Sequence, residues 1–210
     1  MNQKFVSRSN YVLRKVLNSE SNLDIIKDFI ESILKIKIIY IRLNPYLKRK
    51  SKCLPSEENF GIADVRIKTD SNQEFNIGIQ FIDGMFIQNK MFLYYAQIHS
   101  NQLEYIENRK IAKTITINIL DYSFFETSSY HKKVLIKDKK NSLEGEIELH
   151  VLELPKFRVL NYDKITDKEE WMLYFKEKNP KSIEKIINRS LYIKKLDTLL
   201  DEYWKKERME

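Results

Sequence analysis

Ile62-Ala63-Asp64-Val65-Arg66-Ile67-Lys68-Thr69, then Asp70-Ser71-Asn72-Gln73, then Glu74-Phe75-Asn76-Ile77-Gly78-Ile79-Gln80-Phe81-Ile82, is the stretch whose reading decides the fold. Ala63, Val65 and Ile67 alternate with Asp64, Arg66 and Lys68. Beyond the turn residues, Phe75, Ile77, Ile79 and Phe81 alternate with Glu74, Asn76, Gly78 and Gln80. Strand side chains point to opposite faces with a period of two, so each run is a strand with one apolar and one polar face. Asp70–Gln73 is turn chemistry, because short polar side chains bond the neighbouring backbone. The two runs therefore predict a β-hairpin. Asp64 lies on the polar face of its first strand, and Glu74, Asn76, Gly78 and Gln80 lie on the polar face of its second.

The flanking sequence extends this pattern. Upstream, Ser9 or Asn10 can cap a short helix through Tyr11–Leu17, and Ser21 or Asn22 can cap a second. Ile25, Ile26, Phe29, Ile30, Ile33 and Leu34 make one apolar helical face. The β-branched run Ile36–Leu43 is a strand, and Asn44–Phe60, with Pro45 and Pro55, is a loop. Downstream, Phe86–Ile106 is amphipathic and predicts a helix of about six turns. Strands follow at Lys113–Leu120, Lys133–Asp138 and Glu146–Leu154. Thr166 is placed to cap a helix over Lys168–Lys176, and Pro180 and Lys181 open one final helix whose apolar face runs from Ile183 to Tyr203. Helices, then strands interrupted by a long helix, then helices again make an α/β or α+β core with a helical C-terminal appendage.

At 210 residues with 4 Gly and 4 Pro, the chain has the length of one domain and too few turn residues for a β-sandwich. Its hydrophobic share of 42% supports a packed core and excludes global disorder. The single cysteine, Cys53, excludes an intramolecular disulfide and a cysteine zinc site, which fits a reducing compartment. No apolar run approaches the ~18 residues of a membrane span. The runs near Ile36–Tyr40 and Ile115–Leu120 are broken by Lys37 and Asn118. The expected setting is cytoplasmic, away from membranes.

The net charge of +7 is unevenly placed. Residues 1–53 hold 12 Lys/Arg against 4 Asp/Glu, a balance of +8, and the rest of the chain balances at −1. Lys48, Arg49, Lys50 and Lys52 are the densest part. They read either as a solvated loop or as a patch that contacts the phosphates of DNA, where each neutralised phosphate adds salt-sensitive affinity.

Most catalytic templates are missing: there is no Gly-rich phosphate loop, no His-Glu-x-x-His and no nucleophile elbow. His99, His131 and His150 fall on different elements, which argues against a histidine metal site. The hairpin remains. An acid on one strand and a second acid on its neighbour can hold Mg2+ against a phosphodiester, with a third polar group to position the attacking water. Asp64 and Gln80 have that placement, but position 78, where the second acid would stand, is glycine. By spacing alone Asp64 reads as a polar-face residue near a strand end rather than as a metal ligand.

Over roughly residues 5–176 the chain resembles the recombination-promoting nuclease and transposase family, a branch of the PD-(D/E)XK nuclease superfamily. Ser9-Asn10-Tyr11-Val12-Leu13-Arg14-Lys15-Val16-Leu17 is similar to the family's opening helix, and Ile62-Ala63-Asp64-Val65-Arg66 to its Leu-Asp-(Ile/Val) strand. Phe75-Asn76-Ile77-Gly78-Ile79-Gln80 resembles Ile-Asn-Ile-Glu-Ile-Gln. Leu93-Tyr94-Tyr95-Ala96 with Ser100-Asn101-Gln102-Leu103 resembles the Leu-Tyr-Tyr-Trp … Ser-x-Gln-Leu helix. Ile115-Thr116-Ile117-Asn118-Ile119-Leu120-Asp121-Tyr122 and His150-Val151-Leu152-Glu153-Leu154-Pro155-Lys156 resemble two further family runs, in the family's order.

The resemblance implies a restriction-endonuclease-like mixed sheet flanked by helices, with a nuclease-like domain over 1–160 and a helical extension over 161–210. It also implies Mg2+-dependent cutting of DNA, with Asp64 as the first metal ligand and Gln80 in the place usually held by lysine. The departures fall on the chemistry. The family's second acid corresponds to Gly78 and the acid of the opening helix to Asn10. A Gly-Asp-x-Tyr stretch is replaced by Glu104-Tyr105-Ile106-Glu107-Asn108. Losing a metal carboxylate leaves charge in the transition state uncompensated, so a fold that keeps DNA or partner binding without cleavage is one expectation. A nuclease with a relocated acid, Glu74 or Asp83, is a second. Self-association through the long helix (Phe92, Tyr94, Tyr95, Ile98) and the final helix is a third.

Overall fold

A computed structural model describes residues 10–44, 61–82, 87–102, 111–136, 147–159, 164–177 and 180–207. Helices α1 (Asn10–Leu17) and α2 (Leu23–Leu34) precede β1 (Ile38–Leu43), and the hairpin β2 (Ala63–Thr69) and β3 (Glu74–Ile82) leads to α3 (Ile87–Asn101). Strands β4 (Lys113–Leu120), β5 (His131–Ile136) and β6 (Ile147–Glu153) follow, then α4 (Asp167–Lys176), α5 (Pro180–Ile187) and α6 (Leu191–Glu207). The strands form one six-stranded sheet in the order β1-β2-β3-β4-β6-β5. β1, β2 and β3 pair antiparallel, β3–β4 and β4–β6 pair parallel, and β5 returns antiparallel to β6. This is the α/β class and mixed sheet expected of a restriction-endonuclease-like core. The parallel β3–β4 pair requires a crossover, and α3 supplies it.

The alternation of the hairpin sorts its residues between two layers. On one face, Val65, Ile67, Ile77, Ile79, Ile115, Ile117 and Ile119 are buried in a core shared with α1, α2, α4, α5 and α6. Aromatic edges fill it: Phe29 meets Trp171 at 5.4 Å and Phe175 at 5.7 Å, and Phe81 of β3 meets Phe175 at 5.0 Å. On the other face, α3 packs against β3 and β4. A smaller apolar group, Ile82, Met91, Leu120 and Val151, closes that side near the ends of the strands. No described helix is long and apolar enough to cross a membrane.

Two local expectations change. The final helix is broken at Asn188–Ser190 into α5 and α6, and the Ser190 hydroxyl accepts from Ile193 N–H at 3.3 Å, starting α6 afresh. Asn22 does not cap α2 with its side chain; its amide donates to Val16 O at 2.8 Å and ties α1 to α2. Thr166 does cap α4, with its hydroxyl accepting from Glu169 N–H and the Glu169 carboxylate accepting from Thr166 N–H. The apolar residues proposed for self-association turn inward in large part. Tyr94, Tyr95 and Ile98 are buried, as are Ile193, Leu196 and Leu200, whereas Phe92 is exposed.

Candidate active site

Asp64 is the second residue of β2 and stands directly opposite Gly78 of β3. It lies under α3 and is 1% exposed. Asn44, one residue past β1, reaches it twice: its backbone N–H donates to Asp64 O at 2.9 Å, and its side-chain amide donates to Asp64 Oδ1 at 2.7 Å. The same amide donates to Asn76 Oδ1, and Asn76 in turn donates to Ile98 O at 2.9 Å. Asp64, Asn44, Asn76 and α3 are thus tied in one chain of hydrogen bonds. No ion pair reaches Asp64 among the described residues. Burial pushes its carboxyl up to about 7, against the opposing bond from Asn44.

The space opposite Asp64 is filled. A Cβ built on Gly78 would stand 2.6 Å from Ile98 Cδ1 and 2.8 Å from the Tyr94 ring, closer than packed carbon atoms tolerate. Tyr94 is 1% exposed, and its hydroxyl donates toward Ala63 O at 3.0 Å and Ile79 O at 3.3 Å, bridging β2 and β3. Burial, followed by the nearby Asp64 charge, raises that hydroxyl well above its ordinary range, so it stays a donor. Gly61 closes the other side: at φ +58° it has the left-handed backbone that glycine tolerates, and a Cβ there would run into Tyr94 Oη. Two glycines make the slot, and the tyrosine occupies it.

Gln80 is buried on the same face, in register with Asn118 of β4. It donates to Asn118 Oδ1 at 2.7 Å, and the Asn118 amide donates to Thr116 Oγ1 and to His150 O, each at 3.1 Å. Gln80 is therefore part of a neutral polar ladder across β3, β4 and β6. It carries no charge to offset a phosphate, unlike a lysine in its place. Glu74 stands opposite Lys68, four residues before Gly78, and its carboxylate takes Arg66 at 2.6 Å. Asn10 is the first residue of α1, and nothing of its side chain is described. Asp83, Lys48, Arg49, Lys50 and Lys52 lie outside the described residues.

Magnesium takes oxygen donors, chiefly carboxylates and water. Around Asp64 the described donors are one carboxylate, two amides bonded to one another, and a glycine that offers nothing. No group of three His, Cys, Asp or Glu residues able to hold a metal ion occurs among the described residues. The donors among the described residues do not by themselves fit Mg2+.

The sheet also assembles a second polar cluster on the opposite face, where His131 and His150 come together as β5 folds back on β6. Glu148 Oε1 faces His150 Nε2 at 2.9 Å, and His150 Nδ1 faces His131 Nε2 at 2.9 Å. His131 Nδ1 faces Lys168 Nζ at 3.4 Å. A carboxylate only accepts and an ammonium only donates, so with both rings neutral every bond runs the same way, from Lys168 to Glu148. Lys113 and Lys133 also reach Glu148, each at 2.7 Å. Burial would raise the Glu148 carboxyl, but the His150, Lys113 and Lys133 hydrogen bonds outweigh it and hold the group far below its usual range. Burial, with the neighbouring His150 and Lys168 charges, lowers His131 to about 4.

A six-stranded mixed sheet with an acid-bearing hairpin beneath a crossover helix defines a nuclease-like α/β protein. The chain belongs to the PD-(D/E)XK nuclease family transposases, whose family model matches residues 7–210. No curated protein and no solved structure matches it.

Proposed function

We propose that this chain is a DNA-binding member of its family in which the hydrolytic site has been converted into packed core. The observation that supports this most directly is the slot opposite Asp64. A second metal carboxylate would start from position 78, where the backbone is glycine and the neighbouring volume belongs to Tyr94 and Ile98. Asp64 remains, buried beside a single amide donor, at a cost to stability that no ion pair among the described residues offsets. A carboxylate held that way fits a position inherited from a metal-binding site. The family supports DNA as the partner. The basic residues Lys48, Arg49, Lys50 and Lys52 follow Asn44 in sequence, and the chain returns at Gly61, so both described ends of that segment lie at the site.

The test uses the purified chain with supercoiled plasmid and either Mg2+ or Mn2+. Retardation of the DNA without nicking is expected. Divalent-dependent nicking that disappears in Asp64→Ala would overturn the loss of hydrolysis, and failure to retard DNA at low salt would overturn DNA binding. In the double variant Gly78→Glu/Tyr94→Ala, removal of the ring makes room for the missing acid. Nicking regained there identifies that acid as the only part lost.

A further inference from the structure

The polar face of the sheet beyond α3 carries charges in an order that folding alone does not favour. β1 and β2 place Arg42 directly opposite Arg66 and Tyr40 directly opposite Lys68. Directly paired residues of antiparallel strands have Cβ atoms ~4.5–5.5 Å apart, and like charges in that position repel. Arg66 has a carboxylate to meet, Glu74 at 2.6 Å. Arg42 is exposed and Lys68 half-buried, and no ion pair joins either to an acid among the described residues. Tyr40 is 55% exposed, and its ring stands at the outer end of the row.

The period of two sets these residues in three rows on one face. Tyr40 and Lys68 come first, with Glu74; Arg42 and Arg66 come next, with Asn76; Asn44 and Asp64 come last, with Gly78. Successive rows are ~6.8 Å apart along the strands. Cations therefore line the ~13 Å approach that ends at the Asn44–Asp64 pair. A polyanion satisfies this arrangement: phosphates spaced along a strand relieve the Arg42–Arg66 repulsion, and an exposed tyrosine offers a base a face to stack on.

We propose that the polar face of β1 and β2, with the exposed Tyr40 and Arg42 and the half-buried Arg66 and Lys68, is the track on which a DNA backbone lies beside the buried Asp64. The assignment rests on the DNA-binding reading above and adds the surface that performs it. Arg42 and Lys68 are the residues to alter, because Arg66 is engaged with Glu74.

The decisive experiment is fluorescence anisotropy of a labelled 30-base-pair duplex, titrated with wild type, Arg42→Gln/Lys68→Gln and Lys205→Gln/Lys206→Gln across a range of salt. The last variant removes the same charge from the exposed end of α6. Both double variants are first shown by thermal melting to be folded. Arg42→Gln/Lys68→Gln should weaken binding about tenfold or more and flatten the slope of log affinity against log salt by about 2, since each lost phosphate contact removes about 0.9. The α6 variant should bind as wild type does. Unchanged affinity and slope in Arg42→Gln/Lys68→Gln, with wild type binding, overturns the track and leaves the DNA-binding reading standing. Equal losses in the two variants also overturn it, since total charge is then what matters. A wild type that binds poly-glutamate in place of the duplex overturns both the track and the reading beneath it.

Discussion

Asp64 and Glu148 are buried carboxylates on strands of the same sheet, and they differ in what surrounds them. Glu148 is met by the ammonium groups of Lys113 and Lys133 and by the His150 ring, so two opposite charges and a further hydrogen bond compensate it. Among the described residues, the Asp64 carboxylate is met by the amide of Asn44 alone. The consequence appears in their acidities, which move in opposite directions: Glu148 is driven down by its partners and Asp64 is driven up by burial. One carboxylate belongs to the architecture of its strand trio. The other is held at a cost to stability that no ion pair among the described residues offsets.

The largest test of this contrast adds a second acid to the poor side. Gly78→Glu must displace Ile98 and Tyr94 and bury another charge beside Asp64, so a loss of more than about 4 kcal/mol is expected, read by chemical denaturation. Little or no loss would show that the slot opens easily.

Next, the same small change in both places should have opposite signs. The Asp64 carboxyl ionises near 4 when unfolded and about 7 when folded, so the wild type loses stability as pH rises through that window and stays low above it. Asp64→Asn keeps the shape and removes the charge. It should stabilise the protein above pH 7 by as much as about 4 kcal/mol, with the gain vanishing below pH 4. Glu148→Gln should destabilise at pH 7 by about 2–3 kcal/mol, because Lys113 and Lys133 are then held together without their anion. Two substitutions with effects of the same sign would break the comparison.

The smallest effect concerns His131. Its folded value of about 4 lies below that of an unfolded histidine, near 6.5, so its contribution is complete above 6.5 and is lost as pH falls toward 4. Asp64 acts with the opposite sign over the same window, and the two partly cancel in the wild type. Asp64→Asn should therefore reveal a steeper acid loss, and adding His131→Gln should flatten it again. A melting temperature followed from pH 7 to 4 in the three proteins checks this.

Much of the scaffold was legible because it rests on short-range patterns. The period of two in Ala63–Ile67 and Phe75–Phe81 placed Asp64, Asn76, Gly78 and Gln80 on one face, and the register confirms it. The turn at Asp70–Gln73 and the cap at Thr166 are local chemistry and were readable for that reason. The break at Asn188–Ser190 escaped because an apolar period continues across it, and one Ser hydroxyl restarts the helix. Asn44 escaped as well: nothing in a loop residue announces a bond to a carboxylate 20 positions away. The joining of His131 to His150 required knowing that β5 folds antiparallel onto β6.

The sequence by itself determined the strands, their faces, the family and the glycine at position 78 opposite Asp64, since alternation and motif order are properties of neighbouring residues. Only the tertiary structure decided what fills the space beside that glycine. Whether a glycine opposite an aspartate leaves a cleft or a filled core depends on what packs across it, and α3 brings Tyr94 and Ile98 from 16 and 20 residues further along the chain into that space. Burial and charge compensation follow from such long-range packing, and they separate Asp64 from Glu148.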